Sequence, residues 1–175
     1  SSVKIPKGTP VLSGVNILLN FFNDGTDLLN NQSNYCWHFS GSGLFFYGSS
    51  KDSSGVATSR TIIGKGFKVP DGAVKLFTED VKVTTILCID PANKRVEGAV
   101  FTNQSDSVQT GTYNTDASNI MRSLNLNIGS CYYSEGSNSD GAADYIMKES
   151  FLIPNPLPSS DLVKLVKERY VRNFG

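Results

Sequence analysis

The feature that most constrains this chain is a two-residue alternation of apolar and polar side chains. It recurs in short bursts between clusters of Gly, Ser, Asn and Asp. A period of two belongs to the β-strand, where successive side chains point to opposite faces. Residues 15–22 carry it through Ile17, Leu19 and Phe21, and residues 35–40 through Tyr35, Trp37 and Phe39. Residues 81–89 alternate Val83, Thr85, Leu87 and Ile89, and residues 95–102 alternate Val96, Gly98 and Val100. Leu124, Leu126 and Ile128 form another such set, and Tyr145, Met147 and Phe151 share a face of a last strand over 143–151. Shorter apolar runs lie at 44–47 and 61–69. Turn chemistry separates them: Asn23-Asp24-Gly25, Gly41-Ser42-Gly43, Pro70-Asp71-Gly72 and the segment from Asp90 to Lys94. Residues 48–60, 103–115 and 134–140 read as polar loops, and residues 1–13 as an extended lead-in. Ser1-Ser2 admits a cloning remnant, and the chain a module cut from something larger.

The period changes once. After Pro154, Pro156 and Pro158, residues 159–170 place Leu162, Leu165, Val166 and Tyr170 on one helical face. Ser159 or Ser160 is suited to cap that helix, and Asp161 sits in the first turn, where the helix dipole favours negative charge. Lys164, Lys167 and Arg169 fall on the exposed side or near the C-terminal end. The expected fold is all-β: a single antiparallel β-sandwich domain over 1–175 with a short C-terminal α-helix packed on an end or edge. Leu87, Ile89, Val100, Leu126 and Ile128 are its expected core.

Composition narrows the function. The chain has 175 residues, 39% apolar and 18% charged, with 16 basic and 16 acidic side chains. It lacks the basic surplus of a nucleic-acid binder. No apolar run approaches the roughly 18 residues of a membrane span, so no membrane insertion is expected. The Ser, Asn, Gly and Thr that replace charge suit an extracellular or virion-surface β-protein. One histidine, His38, excludes a multi-histidine metal site, and any histidine-based triad has to use it. Cys36, Cys88 and Cys131 leave at least one free thiol. The strand context of Cys36 and Cys88 favours buried free thiols over a disulfide. No nucleophile elbow, zinc-helix motif or phosphate loop is present. Glu79-Asp80 are neighbours at a turn, and Asp144 and Glu149 fall on opposite sides of one strand. Neither makes a catalytic carboxylate pair, and no enzyme activity is expected.

From about residue 81 to about residue 170 the chain resembles the concanavalin A-like, laminin G-like jelly-roll superfamily. The strand Thr85-Ile86-Leu87-Cys88-Ile89-Asp90 turns into Gly98-Ala99-Val100-Phe101-Thr102-Asn103, where Asn103 fits the family Asn and Gln104 replaces the usual Gly. Leu124-Asn125-Leu126-Asn127-Ile128-Gly129 matches a strand closing on "IG". Asp140-Gly141-Ala142-Ala143-Asp144-Tyr145-Ile146 and Leu157-Pro158-Ser159-Ser160-Asp161-Leu162 echo the last strand and helix, with extra prolines. The resemblance implies a non-catalytic module that binds a carbohydrate or a cell-surface receptor. Host attachment on a virion, as in a phage tail or fibre, and adhesion by a secreted protein are the implied settings. A structural oligomerisation domain of a viral fibre and a glycosidase-related domain are the alternatives.

Sugars stack their C–H faces on aromatic rings while neutral polar groups reach their hydroxyls. Tyr132 and Tyr133 precede a Ser/Gly/Asn loop, and adjacent strand residues face opposite ways, so one ring is expected outside. Tyr47 and Tyr113 flank other polar segments, Asn138 lies in the 134–140 loop, and Trp37 is a candidate either for ligand contact or for the core. Calcium, the superfamily's frequent ion, needs several oxygen ligands. Asp140 and Asp144, helped by Glu135 and Asn138, are its candidates, with Asp24 and Asp27 as another pair. Asn31-Gln32-Ser33 and Asn103-Gln104-Ser105 are glycosylation sequons.

Overall fold

The computed structural model describes residues 1–9, 16–23, 33–40, 43–51, 57–63, 76–90, 92–114, 125–128 and 145–175. These hold ten strands followed by one helix. The strands are β1 Ser2–Ile5, β2 Asn16–Asn23, β3 Ser33–Ser40, β4 Gly43–Lys51, β5 Ala57–Ile63, β6 Val81–Asp90, β7 Arg95–Thr102, β8 Gln109–Asn114, β9 Asn125–Ile128 and β10 Ile146–Glu149. Helix α1 spans Ser159–Phe174. Two five-stranded sheets result, ordered β10-β1-β6-β7-β8 and β5-β4-β3-β2-β9, and every pairing is antiparallel.

Strands β6 and β7 form the spine of the first sheet. They pair in unbroken register from Val83↔Thr102 to Asp90↔Arg95. The connecting turn is set by Asp90, whose carboxylate accepts from the backbone N–H and side-chain amide of Asn93. Lys94 closes it at φ 51°, a conformation uncommon for a residue with a Cβ. Hydrogen bonds from Asn93, and beyond them Arg95, hold the Asp90 carboxyl below its ordinary range despite burial.

Both faces of this spine are covered. On one side the second sheet touches it at Trp37 and Phe46, which stack at 5.2 Å. The Trp37 Nε1–H donates to the Ile86 carbonyl at 3.0 Å. On the other side lies α1, with Leu162 and Val166 buried against Ile86, Cys88 and Ala99. Two-sided covering explains why Val96, Glu97, Gly98, Ala99 and Val100 are buried consecutively. It also revises the expected core. Val100 is buried, but Leu87 and Ile89 are half-buried, while Ile86 and Cys88, on the opposite face, are buried deeper. The side chains of Leu126 and Ile128 lie outside the described residues. The helix sits across a sheet face, not on an end or edge, because the even-numbered positions of β6 supply a second apolar surface.

Four other expectations change. Residues 1–13 are not simply a lead-in: β1 is an interior strand between β10 and β6, with Val3 and Ile5 buried. Two apolar residues next to Pro6 were too short a pattern to reveal it. The 48–60 loop is largely strand, since Gly48↔Arg60, Ser49↔Ser59, Ser50↔Thr58 and Lys51↔Ala57 are paired. Within 103–115, β8 pairs with β7 from Arg95↔Asn114 to Val100↔Gln109. Both cases are polar strands whose backbone pairing leaves no hydropathy signal. Lastly, Pro158 occupies the N-cap of α1 without a side-chain cap bond. Ser159 instead turns its hydroxyl to Glu97, at 2.7 Å.

Replacing Leu162 with alanine is expected to cost about 2–4 kcal/mol, as for a fully buried leucine. The same change at half-buried Leu165 is expected to cost about half as much. Urea unfolding midpoints of the two variants check the order. The reverse order would mean that α1 rests on the sheet through Leu165.

Candidate functional site

The structure places three of the six candidate ligand residues. Trp37, on β3 opposite Phe46, is fully buried and its N–H is satisfied within the protein. It therefore takes the core role of its two readings and presents no face to a ligand. Tyr47 follows Phe46 on β4 and pairs with Cys36 of β3. Tyr113 lies on β8 and pairs with Val96. Tyr47 and Tyr113 stand in different sheets. Tyr132, Tyr133 and Asn138 lie outside the described residues, as do the calcium candidates Asp140 and Asp144 and the alternative pair Asp24 and Asp27. Among the described residues, no group of three or more His, Cys, Asp or Glu side chains is placed to hold a metal ion, and no helix is long and apolar enough to cross a membrane.

Several polar residues singled out in the sequence have structural partners. Asn103 brackets the start of β6: its Oδ1 accepts from the Lys82 N–H and its Nδ2 donates to the Asp80 carbonyl, both at 2.9 Å. Gln104 donates to Glu79 at 2.8 Å. Asp80 pairs with Lys4 at 2.6 Å and accepts from the Lys7 N–H. These bonds, from Lys4 first and then Lys7, pull its carboxyl below the ordinary range. Cys88 is a buried free thiol facing the helix connector, with Sγ 3.8 Å from the Leu157 carbonyl. Burial pushes its thiol up, which favours the unreactive protonated form.

One cluster leaves no trace in the sequence. Arg95 donates to Glu97 at 2.7 Å, to the Ser159 hydroxyl at 2.9 Å, to the Leu157 carbonyl at 2.8 Å and to Asp90 at 3.5 Å. Ser159 in turn donates to Glu97. Arg95 and Glu97 are two apart on β7, so they share a face, and this is the face α1 covers. No local pattern could have joined them to Ser159, which lies 62 residues from Glu97. The hydroxyl both accepts and donates within this set, so the cluster fastens the start of α1 to the sheet.

Comparison with protein-family models, with curated proteins and with solved structures finds no match.

Proposed function

We propose that this chain is a non-catalytic recognition module of the antiparallel β-sandwich, jelly-roll type, which binds a glycan or a cell-surface receptor outside the cell or on a virion. The observation that supports it is the pair of five-stranded antiparallel sheets touching through Trp37 and Phe46, with α1 laid across the outer face of one. Such a scaffold offers loops and a second sheet for contact, and the polar, aromatic-flanked segments of the sequence supply the chemistry. In this reading Tyr132 or Tyr133 stacks on a sugar ring, with Asn138 reaching its hydroxyls and Tyr47 and Tyr113 as further contacts. Calcium at Asp140 and Asp144 would order the loop.

A glycan array on the purified protein tests the class of ligand. Alanine at the stacking tyrosine is expected to weaken glycan binding by about 1–3 kcal/mol while leaving stability within about 0.5 kcal/mol. Loss of binding on chelation would support the calcium site. If Tyr132→Ala and Tyr133→Ala both bind as the parent does, the tyrosine-pair site fails and Tyr47 is tested next.

A structural oligomerisation domain is the second reading. It is favoured by exposed Ile146, Leu152 and Ile153, on and beside β10, a strand at the end of its sheet. The mass in solution separates the two.

A further inference from the structure

One carboxylate of the sheet, Glu149, meets three polar side chains from the C-terminal half of α1. Glu149 Oε1 accepts from Arg169 at 2.6 Å, and Oε2 accepts from Asn173 Nδ2 at 2.8 Å. Arg172 stands 3.9 Å from the same Oε1. Asn173 also reaches the Ser2 hydroxyl at 3.2 Å, so Ser2 and Glu149 share the face that α1 covers.

Glu149 gains that face through an irregularity. Strand β10 pairs with β1 as Lys4↔Ile146 and Val3↔Met147, and then shifts to Ser2↔Glu149. Lys148 is the extra residue of a β-bulge. In unbroken register Lys148 would stand opposite Ser2, and Glu149 would point away from the helix. Bulges re-aim side chains in this way, at the expense of regular pairing.

The apolar seat of the helix is uneven. The buried residues Leu162 and Val166 both lie in its first half. Beyond them Tyr170 meets Phe101 edge-on at 4.8 Å and Phe174 at 5.2 Å, and all three rings are half-buried.

We propose that α1 is an acid-released strap, whose C-terminal half lifts from the sheet when the Glu149 carboxylate is protonated, uncovering Ser2 and Phe101. Its first half stays seated on Leu162, Val166 and the Ser159 cluster. Burial pushes the Glu149 carboxyl up, but the Asn173 hydrogen bond and the charges of Arg169 and Arg172 outweigh it and leave it below its ordinary value. A carboxyl lowered on folding contributes its full stabilisation above its unfolded value and loses it as pH falls through the folded one. Of the other charged groups on this side, Lys167 holds its ammonium 5.8 Å from the centre of the Phe101 ring. Lys4 is paired with Asp80, and Lys82 donates to the Phe174 carbonyl. The buried Ser1 amino group, pushed down to about 5, lies in the field of both Glu149 and Arg169.

Hydrogen exchange of the whole chain between pH 7 and pH 3.5 tests the proposal, read as protection relative to intrinsic rates. Protection over residues 167–174 is expected to be lost progressively as pH falls and Glu149 protonates, while β6 and β7 keep theirs. Glu149→Gln is expected to show the same loss at pH 7 and no further change on acidification. Arg169→Met, which removes the contact from the helix side, is expected to be loose there at every pH. Retained protection of β6 and β7 shows that a variant is folded. Simultaneous loss in the helix and in β6 and β7, or a transition that persists in Glu149→Gln and so belongs to Ser1, overturns the proposal.

Discussion

Adding a single methyl group at Gly98 is expected to destabilise the protein by about 2–3 kcal/mol, the upper part of the range for overpacking a filled core. A Cβ there would stand 2.8 Å from Cε1 and Cγ of Phe46, and closer still to Cδ1. The ring has nowhere to go. Phe46 is fully buried, stacked on Trp37, and Trp37 is tethered to the Ile86 carbonyl. Phe46→Ala alone is expected to cost about 3–5 kcal/mol through the cavity it leaves. The double variant is expected to be more stable than the sum of the two by about 1–2 kcal/mol, because the methyl group then enters that cavity. Urea denaturation of the four proteins gives the cycle. An unchanged midpoint for Gly98→Ala would mean that the sheets do not meet at this point.

The same contact shows what a sequence can reveal and what it cannot. Strands β6 and β7 were legible because apolar residues alternate on the face toward Trp37 and Phe46. Even so, the alternation of Val83, Thr85, Leu87 and Ile89 pointed to one core face, where Ile86 and Cys88 line a second. That second face becomes a core only once α1 lies on it, and nothing near Ile86 in the chain announces a helix more than 70 residues later. The helix itself was plain from the spacing of Leu162 and Val166, yet its seat was not. Strand β1 escaped because interior position and polar composition can coexist: the buried Ser2 and Thr84 hydroxyls satisfy each other at 2.9 Å. Strand β8, at the edge of its sheet, escaped because its residues are polar. Of the candidate site, the sequence offered Trp37 two roles and burial selects the core. For Tyr47 and Tyr113 the register supplies a strand position and a neighbour. The cluster around Arg95 was illegible because its members come from two elements that only the fold brings together.

That cluster carries the other large expected effect. Glu97 has only 4% of its side chain exposed and Arg95 20%. A buried carboxylate keeps its charge at tolerable cost only when paired and hydrogen-bonded. Arg95→Met removes the partner but leaves the charge, a change that typically costs about 3–5 kcal/mol, and loss on that scale is expected here. Arg95→Lys is expected to recover only part of it, since one ammonium cannot reproduce the planar fork that reaches Glu97, Ser159 and the Leu157 carbonyl together. A double variant supplies the signature of charge as opposed to lost packing. Arg95→Met with Glu97→Gln, in which no uncompensated carboxylate remains at position 97, is expected to be more stable than Arg95→Met alone and to lie closer to the parent. Guanidinium unfolding at pH 7 reads all four proteins. A double variant no more stable than Arg95→Met would show that Arg95 acts through its packing and its bond to Leu157, and that Glu97 is compensated elsewhere.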